Sequence, residues 1–232
     1  MKRVFDVARI QTVNWFWIFV FPVVLLLLIF ALNLGLFAAI GDAAPPEGRV
    51  TGALLSIYMV VLGAHLQTMT QVFPFALGLS ATRRAFYAAT GLVVGAQSVI
   101  FGVLLLVFGR IEMATGGWGI NLRFFGLPFL LQDGLLAQWL VYTVPFLALS
   151  AVGVFIGVVF KRWSQAGFYA LAVGSGVVLA GLAIVVTWQR WWPAVGSFFI
   201  DQSTFALLVG YPLVIAVVLG GAGWLAIRRA TP

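Results

Sequence analysis

The sequence has one histidine, His65, followed by Gln67, Thr68 and Gln71 within two helical turns. A helix places such side chains on or near one face, and polar groups inside an apolar segment face a bundle interior or an aqueous path. No carboxylate shares the apolar run around His65, so its imidazole is read as a hydrogen-bond partner of another helix rather than a proton carrier. The four residues are candidate cavity-lining polar groups. Other chemistry is missing. The sequence has no cysteine, no G-x-x-x-x-G-K-[ST] phosphate loop, no H-E-x-x-H pair and no paired carboxylates inside an apolar run. Hydrolysis of ATP, thiol chemistry and a metal centre therefore lack their ligands here. The chain is expected to be no enzyme, with no cofactor or metal of its own.

A second group is of another kind. "FPFALGLSATRRAFY" puts Phe73, Pro74, Phe75 and Leu77 ahead of Gly78, and Arg83 and Arg84 behind it. Pro74 suits the first turn of a short helix, Gly78 suits its end, and Ser80 or Thr82 can cap the helix that follows. Apolar residues in a loop beside two arginines imply one of two things. Either they close the end of the bundle, or they wait for a partner protein.

The elements around these groups are set by composition. Of 232 residues, 63% are hydrophobic and 8% charged, and the mean hydropathy is +1.12. A soluble domain cannot hide that much apolar side chain, so lipid is expected as the solvent. Six apolar runs are long enough to span it: 15–40, 51–73, 85–109, 136–160, 165–188 and 204–227. They are expected as α-helices because backbone groups in hydrocarbon must be satisfied within the segment. The fold expected is an all-α polytopic membrane protein, a single transmembrane domain over 1–232. Gly91/Gly95 and Gly153/Gly157 allow close helix approach. Pro22, Pro145 and Pro212 are candidate kinks.

Basic residues mark the sides. Lys2, Arg3, Arg9, Arg83, Arg84, Lys161, Arg162, Arg228 and Arg229 fall on one side with a single acid, Asp6. Arg49, Arg110, Arg123 and Arg190 fall on the other with Asp42, Glu47, Glu112, Asp133 and Asp201. The net charge of +7 is thus an orientation signal and not a nucleic-acid footprint. Both termini are expected in the cytoplasm, with Pro45-Pro46 turning an outer loop. Residues 1–14 read as a basic amphipathic helix, with Val4, Val7 and Ala8 on one face, lying in the interface; a frayed basic terminus is the other reading. Two outer stretches are aromatic: "GGWGINLRFFGLPFLLQDG", and "WQRWWPAVGSFFIDQS" with Trp188, Trp191, Trp192, Phe198 and Phe199. They form either an aromatic belt at the helix ends or short re-entrant helices that cap a cavity.

With these features the whole chain resembles the small six-span permease subunits of bacterial ABC exporters of the type-2 class. The likeness rests on the basic N-terminal helix, the six spans, the "FPFALGLSATRRAFY" loop and the aromatic segment before the last span. It implies that the 73–84 loop is a coupling helix docking on a separate ABC ATPase subunit, which holds ATP and Mg. It also implies a second permease copy or related permease, an amphipathic substrate and a bacterial inner-membrane location. An accessory or channel-like membrane protein without an ATPase, or a polytopic membrane enzyme, would lack a use for the apolar loop or the acid and histidine clusters it needs.

Overall fold

The computed structural model describes residues 2–13, 15–41 and 49–228. Pro45-Pro46, Asp42, Glu47 and Arg229 lie outside the described residues. Among the described residues the fold is all-helical, and the one extended pairing is a parallel bridge between Val50 and Arg123. In chain order come α1 (Lys2–Thr12), a π turn (Phe16–Val20) running into α2 (Phe21–Ile40), and α3 (Leu55–Gln67). A second π turn (Thr68–Val72) leads into α4 (Phe73–Gly78), and α5 (Arg83–Ala114) follows. Then come a π turn (Gly117–Asn121), α6 (Leu135–Trp188), α7 (Trp192–Asp201), and a fourth π turn (Ala206–Gly210) into α8 (Tyr211–Ile227). Among the described residues, four helical stretches are long and apolar enough to cross a membrane: Phe16–Ile40, Arg83–Ala114, Leu135–Trp188 and Ala206–Ile227.

Three of the four π turns stand just before an aromatic–proline pair, Phe21-Pro22, Phe73-Pro74 or Tyr211-Pro212. Proline donates no N–H, and its ring crowds the carbonyl four residues back. A wider turn relieves that crowding without ending the helix. The expectation of a separate helix starting at Pro74 is therefore refined. Backbone torsions stay helical from Gln67 through Phe73, so α3, the π turn and α4 form one rod of about 36 Å. Thr82 caps α5, its hydroxyl accepting from Ala85 N–H at 3.2 Å. Ser80 instead takes the positive φ of the preceding turn, at 64°.

α6 carries 54 residues, about 80 Å if straight, yet it is not straight. Ser164 has φ 55° and ψ −150°. A Cβ on Gly167 would meet Trp163 and the Val159 carbonyl, although a straight helix would hold Gly167 and Val159 about 12 Å apart. The chain doubles back at Ser164, giving arms 135–163 and 165–188.

Small residues let the helices close up. A Cβ on Gly153 would collide with the Leu62 carbonyl of α3, and one on Gly157 would come 2.5 Å from Met69 Cβ. Gly91 and Gly95 have nothing within 4 Å. The two G-x-x-x-G steps thus differ: one is a packing seam and the other faces outward. Gly153→Ala is expected to destabilise the purified protein by about 1–3 kcal/mol, since the colliding atom is backbone. Gly91→Ala should leave the melting temperature nearly unchanged. Thermal unfolding of both variants in one detergent checks the contrast.

Two apolar cores result. Ile57, Tyr58, Val61, Phe101, Leu105 and Phe146 gather toward one end with Leu122, Phe124 and Phe125. Met69, Phe73, Phe86, Ala89, Val154 and Val158 gather toward the other with Val7 and Ile227. Between them, each of α3, α5 and α6 carries buried polar residues: His65, Gln97 with Ser98, and Ser150. The outside is apolar. Val173, Val177, Leu179 and Ile184 on the second arm of α6 are exposed, an exterior that suits lipid and not water.

Candidate functional site

The N-terminal segment climbs beside α5. The buried Gln11 donates Nε2–H to Phe86 O at 3.3 Å and to Thr90 Oγ1 at 3.0 Å. Seven residues later, Gln97 Nε2 donates to Ile18 O. Ile18 lies four residues before Pro22, so its carbonyl is one that a proline leaves without the usual helical donor. Gln97 also accepts from His65: its Oε1 lies 2.7 Å from His65 Nε2, and because an amide oxygen only accepts, that ring nitrogen carries the proton. The Gln97 amide thus ties α3 to the start of the first apolar helix. His65 is spent in this tie and faces α5.

Gln67, Thr68 and Gln71 face elsewhere. With Val60, Gly63, Ala64 and Val72 they form one wall of a groove of about 590 Å³, and Gln11, Trp17, Ile18 and Phe21 form the other. Of the four polar candidates, three share this groove and His65 does not. Thr68 returns its hydroxyl to Ala64 O at 3.0 Å. Gln67 and Gln71 are exposed, and among the described residues their amides have no hydrogen-bond partner. Gln11 is the groove residue that sequence reasoning missed. It stands four after Val7, so helical spacing alone places it beside the apolar face of α1.

At the foot of the same rod, α4 divides its apolar residues. Phe73 is buried and packs edge-on against Phe86 with ring centroids 5.1 Å apart. Leu77 packs partly against the neighbouring core, and Pro74 is half-buried. Phe75 and Leu79 point outward, 62% and 57% exposed. The exposed apolar pair is thus Phe75 and Leu79, while Phe73 and, in part, Leu77 turn inward. Gly78 ends α4. Basic residues follow: Arg83 donates to Arg228 O at 3.2 Å, Arg84 is exposed, and Arg228 lines a hollow with Arg162 and Trp163.

The opposite end is closed by the 115–134 segment. Glu112, 0% exposed, turns its carboxylate into this segment. Oε2 accepts from Trp118 Nε1 at 3.0 Å, Phe124 N at 3.0 Å and Phe125 N at 2.9 Å. Oε1 accepts from Gly126 N at 2.8 Å. Tyr142 donates to Phe125 O at 2.8 Å, and Arg49 donates to Ile120 O at 2.7 Å and Gly41 O at 2.6 Å. Phe124 and Phe125 are held inward over Phe30. The second aromatic segment behaves differently: Trp188, Trp191, Trp192, Phe198 and Phe199 are all exposed. Phe198 rests on Tyr211, and Trp192 Nε1 donates to Thr187 Oγ1. Within one chain Phe198 reaches the start of α8, and none of the five lines the groove.

Among the described residues no group of His, Asp and Glu is placed to hold a metal. Comparisons with protein-family models, with curated proteins and with solved structures find no match.

Proposed function

We propose that the chain is the transmembrane permease subunit of an ATP-driven exporter of the ABC type-2 class. It works as a pair with a second copy or related permease, beside separate ATPase subunits that hold ATP and Mg. The observation that carries this reading is the knob of Phe75 and Leu79, exposed at the end of a helical rod and followed at once by Arg83 and Arg84. Exposed apolar side chains at a charged end suit a protein partner better than headgroups or water.

The same rod explains how such a partner could act. α4 continues without a break into the turn that bears Gln67, Thr68 and Gln71. A displacement of α4 by a docked ATPase shifts the groove wall above it. Phe73 against Phe86 makes the foot of the rod move with α5. The π turn, with its looser hydrogen bonding, is where the rod yields. In this reading the rod is the second of six crossings, the arms of α6 are the fourth and fifth, and the basic end faces the cytoplasm of a bacterial inner membrane.

Two experiments test it. A tagged chain solubilised from its native membrane is expected to co-purify with a protein carrying a G-x-x-x-x-G-K-[ST] loop; purification free of any such protein from gently solubilised membranes would refute the reading. Cysteines at Gln165 and Gln189, at opposite ends of the second arm of α6, test the topology. An impermeant thiol reagent added outside should label Gln189→Cys and reach Gln165→Cys only after permeabilisation. Labelling of both from one side would contradict six crossings.

A further inference from the structure

We infer that the groove between the N-terminal segment and the α3–α4 rod is a binding site for an uncharged amphiphile that carries hydrogen-bond donors. This deepens the permease reading by naming the chemistry of what the groove takes.

Three observations converge. First, the wall is free of titratable groups: its polar members are three glutamines and a threonine, and the rest is apolar or aromatic. The nearest charges on α1, Asp6 and Arg9, line a separate hollow with Ile10, Thr12 and Val13. A charged headgroup drawn into this groove would lose its hydration with no counter-charge to replace it. Second, the open polar atoms of the groove are amides: Gln67 and Gln71 are exposed and have no hydrogen-bond partner among the described residues, while Gln11, 3% exposed, is held at the back by Phe86 O and Thr90 Oγ1. Third, Gln67 stands near the middle of the rod, twelve residues after Leu55 and eleven before Gly78. An amide at that depth beside lipid has no bulk water to bond. Gln67 and Gln71, one turn apart on the wall, each offer a donor pair and an acceptor.

A hydroxyl- or amide-bearing headgroup satisfies the exposed amides of Gln67 and Gln71, while Trp17 and Phe21 accept its apolar body. The groove volume, about 590 Å³, lies in the range of small-molecule sites. Gln67, Gln71 and Trp17 are exposed, so the groove is open at the surface of the chain.

The test uses the full chain, purified in nanodiscs without ATPase or nucleotide, so that its failure leaves the exporter reading standing. The probes are 9,10-dibromostearoyl glycerol, the corresponding free acid and the corresponding amine, which share one brominated chain and differ in charge. Bromine quenches nearby tryptophan, and the part of the quenching lost in Trp17→Phe reports the groove. The glycerol ester is expected to saturate this signal at concentrations roughly tenfold below either charged probe. Gln67→Leu/Gln71→Leu, both exposed positions, should weaken it by roughly tenfold, the worth of about two neutral hydrogen bonds. Equal quenching by all three probes, an unchanged titration in the double variant, or a signal that survives Trp17→Phe would overturn the proposal. So would ready disulfide formation between Gln67→Cys chains with no quenching, which would mean that a second copy fills the groove. The comparison of probes on the unmutated chain stands even if the double variant misfolds.

Discussion

Glu112→Ala should be the most damaging single substitution in this chain. The carboxylate is the only acceptor shown for the buried N–H groups of Phe124, Phe125 and Gly126, and it also takes the Trp118 indole. Removing it strands three backbone donors inside the protein. Each stranded donor costs about 1–3 kcal/mol, so a loss of at least about 3 kcal/mol is expected, a large part of the stability of an ordinary domain. Glu112→Gln should recover little of it. An amide keeps one acceptor oxygen, but its NH2 then faces either the Gly126 N–H or the three donors on the other side. The measurement is thermal unfolding combined with limited proteolysis. Cleavage should move into the 115–134 segment before the rest of the chain yields. A Glu112→Ala protein that melts within about 0.5 kcal/mol of the parent, the range of an ordinary surface substitution, would refute the clamp.

The second large effect concerns association. Phe75→Asp/Leu79→Asp should abolish capture of the ATPase while leaving the chain folded, because both side chains are exposed and neither contributes to the cores. Burying the two would contribute about 1.5–3 kcal/mol each before the ordering costs of association. Introducing carboxylates on a docking surface adds a desolvation penalty. Arg83→Ala should do far less, since exposed charge pairs contribute about 0–1 kcal/mol. Leu77→Asp is the informative control. Leu77 packs against the core near Phe73 and Ala76, so this variant should lose thermal stability as well as capture. If the Phe75/Leu79 variant captures the ATPase as the parent does, the knob is only the lid of the bundle.

The all-helical character was legible because run length and hydropathy suffice to read helices in an apolar solvent. The Thr82 cap was legible too, since one side chain and one N–H three residues on make the motif. What escaped was set by distant partners. Pro74 read as a beginning because proline usually opens a helix, but a preceding π turn absorbs its missing donor, and no residue type marks a π turn. Glu112 looked like one more outer acid; acceptance from backbone N–H groups twelve to fourteen residues away has no spacing rule. His65 and Gln67 sit two apart, and a helix turns them to different neighbours, one to Gln97 and one to the groove. The outward aspect of Trp188 through Phe199 could not be read either, since aromatic residues suit a belt and a cap equally.

The central claim is that this chain transmits work from an ATPase to its groove. The direct measurement is ATP hydrolysis by the co-purified ATPase in proteoliposomes, with the parent chain and with Phe75→Asp/Leu79→Asp. The account predicts that the parent chain raises hydrolysis above that of the ATPase alone, that an uncharged glycerol ester raises it further, and that the variant returns it to the level of the ATPase alone. Hydrolysis that is indifferent to the presence of the chain and to these two residues would contradict the account.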